Sequence, residues 1–362
     1  MAYNWGFATT DPQVVKRFSK KFQIDAAADA LWPSLIQTIK GPDVESIAKA
    51  GLLRNVVIRY TDLKGAQNRG DTVTVYNAAQ LNSKPFFGDV QVQGKAAPIQ
   101  TYTQPVSIDQ VAQSVKSDGK LSEKRMLMDF RDTGNALLSD WANVFIDETF
   151  TIALIGENVF VNGYSNYSSS GFSSIMNTAL HYTDTDHILY AGNATSNATA
   201  ANSGNTVTAQ LLTKMKITAR QKLNVPIRPL KGLPSGAKFV YVDDENVEMQ
   251  LAYDSDWVQR QTQGNTRGAN NPSLTNSIGA FGGIEVISFE RAFRPIANVA
   301  YGMFLGASAL HFVEGENWSW FEGYEDNDRK KVIMVSSMFG VSPAYFNGTK
   351  RNMLMVPHYV QI

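Results

Sequence analysis

The chain has 362 residues, enough for two or three core-bearing units. Hydrophobic residues make up 43%, so the chain is globular and not disordered, while a charged fraction of 18% is low for a protein that stays alone in water. Lys+Arg and Asp+Glu are equal at 33 each, so the formal net charge is zero; the basic excess of a dedicated nucleic-acid binder is missing, and so is the repulsion that keeps copies apart. Composition therefore leaves open a neutral enzyme and a protein that packs against copies of itself. With no cysteine, disulfides, thiolate catalysis and thiolate zinc sites are excluded. "MAYNWGFATTDPQ" has neither a basic start nor the apolar core of a signal peptide. No apolar run approaches the ~20 residues of a membrane span. The expected compartment is a cytoplasm without membrane contact, and the Asn-x-Ser/Thr sequons at Asn166, Asn193, Asn197 and Asn347 are chance.

Residues 1–54 read as an arm with short amphipathic helices, "DPQVVKRFSKKFQ" and "DAAADALWPSLIQ", too poor in apolar residues to fold alone. From residue 55 the period changes. "NVVIRYTDL" and "GDTVTVYNA" are β-branched or alternating and predict strands. Pro85 and Gly88 mark a turn, and "DVQVQGKAAPIQTYTQPVSI" runs back extended, with Pro98 and Pro105 excluding helix and any central-strand position. Residues 55–106 thus form a long two-stranded ribbon, marginal in isolation and in need of a partner surface. "SIDQVAQSVKSD" at 107–118 is expected to be helical, with Gly119 as its stop.

A long helix is expected over about 122–155, spanning roughly 50 Å. Its predicted seam is Leu127, Phe130, Gly134, Leu137, Trp141 and Val144, spaced by threes and fours. Gly156 is its expected stop. Gly134 on the seam would admit another backbone closely, against the alternative of a glycine tolerated on the solvent side. Residues 157–206, rich in Ser, Asn, Thr and Gly, read as surface loops around "TALHYTDTDHILY". A second helix is expected at 207–223. The strand "AKFVYVDD" follows, then a third helix, "ENVEMQLAYDSDWVQRQ", capped by Asp243 or Asp244. A Gly/Asn loop leads to a strand in "GGIEVISFE", "GMFLGASALHFVEG" is a strand or short helix, and the last segments are strands. Segregated helices and strands without βαβ repetition make the class α+β.

Chemical vocabulary is sparse. "HYTDTDH" gathers His181, Asp184, Asp186 and His187, a metal-like cluster without the helical register of H-E-x-x-H, and is read as a solvated loop. His311 and His358 sit in apolar surroundings and are read as core or edge residues. "GAFGGI", with Gly279, Gly282 and Gly283, leads into a strand and not from a strand into a helix, so it lacks a dinucleotide-binding context; no phosphate loop and no G-x-S-x-G elbow occur. Asp147/Glu148 and Asp243/Asp244 are neighbours or caps without an argued cleft. Lys20/Lys21 and Lys330/Lys331 are isolated basic pairs on solvated faces. No catalytic, cofactor or metal residue is assigned.

The chain resembles the major capsid proteins of tailed bacteriophages, in particular the group containing the coat protein of the coliphage N-four type. The resemblance is carried by "KGPDVESIAKAGLLRNVVIRYTDLKGAQNRGDTVTVYNAAQL", "PVSIDQVAQSV", "LLSDWANVFIDE", "LAYDSDWVQRQTQGNTRGANNPSLTNSIGAFGGIEVI", "GASAL" and "VIMVSSMFGVSPAYFNG", through their order and spacing together. It implies a Hong Kong 97-like capsid fold: an N-terminal arm (1–54), an extended β-hairpin loop (55–106), a peripheral domain with the spine helix (107–157), a mainly axial domain (158–325) and return strands to the peripheral domain (326–362). The implied function is self-assembly, as hexamers and pentamers, into an icosahedral shell around the double-stranded DNA of a tailed phage. DNA would be touched weakly and without sequence preference, and scaffolding, portal and cement or decoration proteins are possible partners. The interface candidates are Tyr76, Leu81, Lys84, Pro85, Phe86, Phe87, Val90 and Val92 on the ribbon, with Trp5 and Phe7 in the arm. The arm starts almost at Met1, so no proteolytic maturation is expected. Lys84 and Lys95 flank the ribbon tip without a partner motif for covalent cross-linking. Two alternatives stand beside this reading: an encapsulin-like compartment shell with a cargo enzyme, and a metal-dependent hydrolase using His181 and His187.

Overall fold

The computed structural model describes residues 18–22, 35–39, 55–61, 70–78, 86–88, 93–94, 101–125, 129–155, 185–223, 226–231, 236–262, 278–289, 298–327, 329–346 and 349–360. In chain order the strands begin with β1 (Ile36–Ile39), β2 (Val57–Tyr60), β3 (Thr72–Ala78), β4 (Thr101–Ser107) and β5 (Asp109–Lys116). Helices α1 (Lys120–Arg125), α2 (Phe130–Ile155), α3 (Asn197–Ala200) and α4 (Ala209–Ile217) follow, the last running on through a π-helical turn over Thr218–Lys222. Then come β6 (Phe239–Asp243), α5 (Asn246–Ala252), α6 (Ser255–Thr262), β7 (Gly279–Phe281), β8 (Ile284–Ser288) and β9 (Val299–Leu305). The chain ends with β10 (Leu310–Glu325), β11 (Lys330–Pro343), β12 (Tyr345–Phe346), β13 (Thr349–Lys350) and β14 (Met353–Tyr359).

Two five-stranded sheets organise these elements. The first has the order β1-β2-β10-β11-β5, with β1, β2 and β10 parallel and β10, β11 and β5 antiparallel. Its centre is the long β10–β11 hairpin, whose turn uses Asp326 and Asn327 at positive φ, a conformation short polar side chains tolerate. Two register shifts on β10, between Glu314 and Ser319, bend that hairpin. The second sheet has the order β14-β9-β6-β8-β7. One of its faces, with Val240, Val242, Met303, Leu305 and Met355, packs on the C-terminal half of α2 and the start of the first sheet. The other, with Phe239, Tyr241, Phe304, Leu354 and Val356, is covered by α4, α5 and α6.

Several sequence expectations are corrected. Residues 107–118 are not helical: 109–116 is the edge strand β5, hydrogen-bonded to β11. Val111 and Val115 lie four apart, a spacing that fits one face of a helix and one face of a strand alike, and pairing with β11 decides between them. The long helix is not continuous over 122–155. α1 ends at Arg125, and α2 starts after Asp129, whose carboxylate accepts the Arg131 N–H at 3.0 Å and whose carbonyl accepts the Thr133 N–H at 3.1 Å. At 26 residues α2 is about 39 Å long. The third expected helix divides into α5 and α6 at Asp254, whose carboxylate accepts the Asp256 N–H at 3.0 Å in the first turn of α6 and the Ala209 N–H at 2.6 Å at the start of α4. Neither Asp243 nor Asp244 is the cap of α5; that place belongs to Glu245, without a side-chain bond. The segment at 302–315, expected as one strand or a short helix, is the end of β9 and the start of β10, two strands of different sheets joined by a turn at 306–309, and the closing strands divide, β11 joining the first sheet and β14 the second.

Candidate assembly surfaces

Of the ribbon expected over 55–106, residues 72–78 and 101–107 form the antiparallel pair, whereas 57–60 is β2 of the first sheet, where β1 and β10 supply its hydrogen-bond partners. β3 and β4 run from Thr72 opposite Ser107 to Ala78 opposite Thr101. Period two decides which side is buried: Val73, Val75 and Val106 join Ile58, Tyr60 and Val313 in a small core, while Thr72 and Thr74 face solvent. The ribbon base is therefore satisfied within its own chain. Gln104 ties it down further, for its amide donates to Ser342 Oγ and to the Pro343 carbonyl at 3.1 Å, and its Oε1 accepts the Tyr345 N–H at 3.0 Å. Nothing local in the sequence singles out Gln104, because its partners lie 238 to 241 residues away. Arg59, beside the base on β2, pairs with buried Glu314 at 2.5 Å.

At the far end Phe86 and Phe87 are 43% and 79% exposed, next to Gly88 at φ +68°. Two adjacent exposed phenylalanines on an anchored ribbon are apolar surface without cover among the described residues. Tyr76 lies on β3 opposite Thr103. Leu81, Lys84, Pro85, Val90, Val92 and Lys95 of the ribbon, and Trp5 and Phe7 of the arm, lie outside the described residues.

The spine helix α2 lies across the first sheet, but its buried seam differs from the predicted one. Phe130, Gly134, Leu138, Ala142 and Phe145 are buried, with Asn135, Ser139 and Asn143 beside them. Leu137 is 55% exposed, Trp141 and Val144 are half-buried, and Leu127 is outside the described residues. Phe130, Leu138 and Ala142 pack against Trp320, Ile333 and Val335, and Phe22 of the helical turn at 18–22 joins them. From Asp147 to Ile155 every residue of α2 is buried, so the seam widens into a full surround. Three of its hydroxyls are satisfied within the helix: Ser139, Thr149 and Thr151 donate to the carbonyls of Asn135, Phe145 and Asp147 at 2.7, 2.7 and 2.8 Å. At its N-terminal end Arg131 pairs with Glu322 of β10 at 2.6 Å.

Gly134 does face the sheet, but a side chain and not a backbone approaches it: a Cβ there would meet Ile333 Cδ1 at 3.0 Å. Gly134→Ala should stay within about 1 kcal/mol of the parent, because a helix gain of about 1 kcal/mol offsets the small shift of one methyl group. Gly134→Leu should cost about 2 kcal/mol or more through overpacking. Urea unfolding of the unassembled subunit measures both, and an equal loss for Ala and Leu would refute this account.

At its C-terminus α2 has no basic residue in the last turn. The cation comes from β13 instead: the buried Lys350 ammonium donates to the carbonyls of Ala153 at 3.2 Å and Leu154 at 3.0 Å. Burial pushes its pKa down to about 8.

The histidines are accounted for in part. His311 is buried beside Tyr60, whose hydroxyl lies 3.4 Å from Nδ1, and burial pushes its pKa down to about 4. His358 is buried with Nε2 3.5 Å from Asp243 Oδ2. His187 is buried in a 3-10 turn, while His181 and Asp184 lie outside the described residues. Among the described residues no cluster of His, Asp or Glu could hold a metal ion, and no helix is long and apolar enough to cross a membrane.

An anchored ribbon, a spine helix laid on a bent hairpin and a second sheet under three helices define an α+β shell subunit of the Hong Kong 97-like kind. The family model described as "Phage capsid protein" matches residues 7–347, and the chain belongs to that family, the shell-forming major capsid proteins of tailed phages. It is 25% identical over 311 residues to the major capsid protein of Pseudomonas phage KPP25, covering 79% of this chain and 81% of that one. It superposes on the capsid of Ralstonia phage GP4 with a TM-score of 0.72 and 22% identity over 92% of each chain. Against the capsid of cyanophage Pam1 the TM-score is 0.68 with 16% identity, over 92% of this chain and 93% of the other.

Proposed function

We propose that copies of this chain assemble as hexamers and pentamers into an icosahedral shell that encloses a double-stranded DNA genome, and that assembly takes place in the cytoplasm of a bacterial host. The carrying observation is the ribbon: its base is fixed by Gln104 and its own valine core, while Phe86 and Phe87 stand exposed at the other end. The ribbon tip, from Leu81 through Lys84, Pro85, Phe86, Phe87 and Val90 to Val92, lies on a neighbouring subunit, and Trp5 and Phe7 of the arm lie on another. Tyr76 extends that contact along β3. Each contact can be weak, because a closed shell engages every subunit many times.

In this reading residues 55–106 are the extended loop, 107–157 the peripheral domain with the spine helix, and 158–325 mainly the axial domain. The protein works by assembly and not by turnover. Zero net charge supports close packing of copies and only weak, sequence-independent contact with the packaged DNA. Scaffolding, portal and decoration proteins are its further partners.

Deletion of residues 78–95 should leave a folded subunit, since the valine core and Gln104 remain, and should abolish closed particles. Light scattering with electron microscopy reads the outcome. Shells of normal size from the deleted chain would refute the role of the tip. A full-length protein that stays near 40 kDa even with a scaffold present would refute the shell itself.

A further inference from the structure

The helices covering the second sheet divide charge sharply. Residues 209–222, α4 and its π-helical extension, carry Lys214, Lys216, Arg220 and Lys222 and no acid. Residues 245–262, through α5 and α6, carry Glu245, Glu248, Asp254 and Asp256 against one cation, Arg260. A chain of zero net charge thus presents opposite signs on neighbouring helices of one surface.

Part of this charge is used internally. Lys216 Nζ donates to the Gly282 carbonyl at 2.5 Å, and Asp254 holds the first turn of α4. Lys214, Arg220, Lys222, Glu245 and Asp256 are exposed, and none of them forms an ion pair among the described residues. Glu248, also exposed, accepts only the Ser288 hydroxyl among the described residues.

Each charged surface has an apolar centre. Lys214, Ile217 and Gln221 follow the spacing of one helix face, with Arg220 beside them, and Ile217 is 43% exposed. Glu245, Glu248, Met249 and Ala252 fall at i, i+3, i+4 and i+7 of α5; Met249 is 45% exposed, and Tyr253 just beyond is 86% exposed. A charged rim around an apolar centre is the anatomy of a protein–protein contact.

We propose that the Lys214–Ile217–Arg220 face of α4 docks on the Glu245–Glu248–Met249–Tyr253 face of α5 in a second copy of this chain. The contact is head-to-tail, basic face to acidic face, and repeats around a closed ring. Charge rules out a two-fold arrangement that sets either stripe against itself, and of the contacts that pair α4 with another copy's α5 the head-to-tail one follows from the hexamers and pentamers of the proposed shell. A nucleic acid on this side of the sheet would gain from the basic stripe but be repelled by the acidic one.

The inference rests on the shell reading and names a contact within it. The test uses the full chain in three forms: Lys214→Glu with Arg220→Glu, Glu245→Lys with Glu248→Lys, and all four substitutions together. Each charge-reversed pair should raise the protein concentration at which particles appear by about tenfold or more, because like charges then face each other. The four-fold exchange should return that concentration to within about threefold of the parent. Thermal melting of the unassembled subunits checks that each variant folds. Particle formation unchanged in both reversed pairs would overturn this contact while leaving the shell intact, and so would a four-fold variant no better than either pair. Normal particles from the Lys214→Glu/Arg220→Glu chain that retain less DNA would reassign the basic face to nucleic acid. A parent chain that never assembles would overturn the shell reading and this contact together.

Discussion

Gly302→Ala should leave little soluble protein, with a loss of about 4 kcal/mol or more in any that folds. Gly302 lies at the middle of β9, an inner strand of the second sheet, and the Tyr241 phenol crosses directly above it. A Cβ at Gly302 would fall on the Tyr241 hydroxyl, with Cζ and Cε2 at 2.6 and 2.7 Å. The phenol cannot step aside. It is fully buried among Phe239, Phe304 and Val356, and its hydroxyl donates to the Asp243 carboxylate. That carboxylate is held in turn by the Asp244 N–H at 2.8 Å and lies 3.5 Å from His358 Nε2. Burial raises the pKa of Asp243 and that of Tyr241, the neighbouring carboxylate adding to the latter. The network is polar, buried and hydrogen-bonded, so displacing one member leaves the others unsatisfied. Shortening the facing residue, as in Gly302→Ala with Tyr241→Leu, should recover soluble protein relative to Gly302→Ala alone. If Gly302→Ala by itself melts within a degree or two of the parent, the close approach at this site does not constrain the sheet.

What could be read in the sequence follows from where each signal is local. The ribbon was legible because Val73, Val75 and Val106 alternate with polar residues and the prolines exclude helix. The existence of the spine helix was legible because large apolar residues recur over seven turns. Its phase was not. Leu137 is larger and more apolar than Asn135, Ser139 and Asn143, yet it is exposed and they are buried, because the sheet fixes the rotation of α2 through Ile333 and Trp320. Full burial of Asp147, Glu148, Thr149 and Thr151 gives no hydrophobic signal at all. The strand β5 was misread because two valines four apart satisfy both periods, and only β11, more than 200 residues on, selects between them. Gln104, Lys350 and Gly302 owe their roles to residues distant in the chain, so nothing near them in sequence marks them. The exposed phenylalanines of the ribbon tip were legible as interface candidates because a turn has no core to offer them.

The parent chain should gain stability toward alkaline pH, and replacing Lys350 with Met should abolish that gain. Lys350 closes the C-terminus of the spine helix through the carbonyls of Ala153 and Leu154. Burial holds its pKa at about 8 where 10.5 is ordinary. Below pH 8 the lysine is protonated folded and unfolded, and the folded state bears the cost of a desolvated charge. Between pH 8 and 10.5 the unfolded chain keeps a proton that the folded chain has released, so stability rises with pH in that window. At about 1.4 kcal/mol per pH unit the gain is at most about 3 kcal/mol, and the neutral amine still donates to the helix end. The Met variant loses the donor, at about 1 to 3 kcal/mol for the carbonyls left without it, and also loses the cost of the buried charge, so the two effects largely offset near pH 7. At pH 10 only the loss remains. Urea unfolding of the unassembled subunits at pH 7 and pH 10 should therefore show the parent's advantage widening by about 2 to 3 kcal/mol; a constant difference would mean that Lys350 titrates normally and is not closing the helix from a buried position. The same lysine completes a mechanical path. Gln104 at the ribbon base accepts the Tyr345 N–H of β12, β12 pairs with β13, and Lys350 of β13 grips the end of α2. In the proposed shell, a pull on the ribbon by a neighbouring subunit would be delivered to the spine helix, and the Met variant, lacking the last link, should form particles that fall apart at lower urea than the parent's even at pH 7, where the subunits themselves are nearly equal in stability.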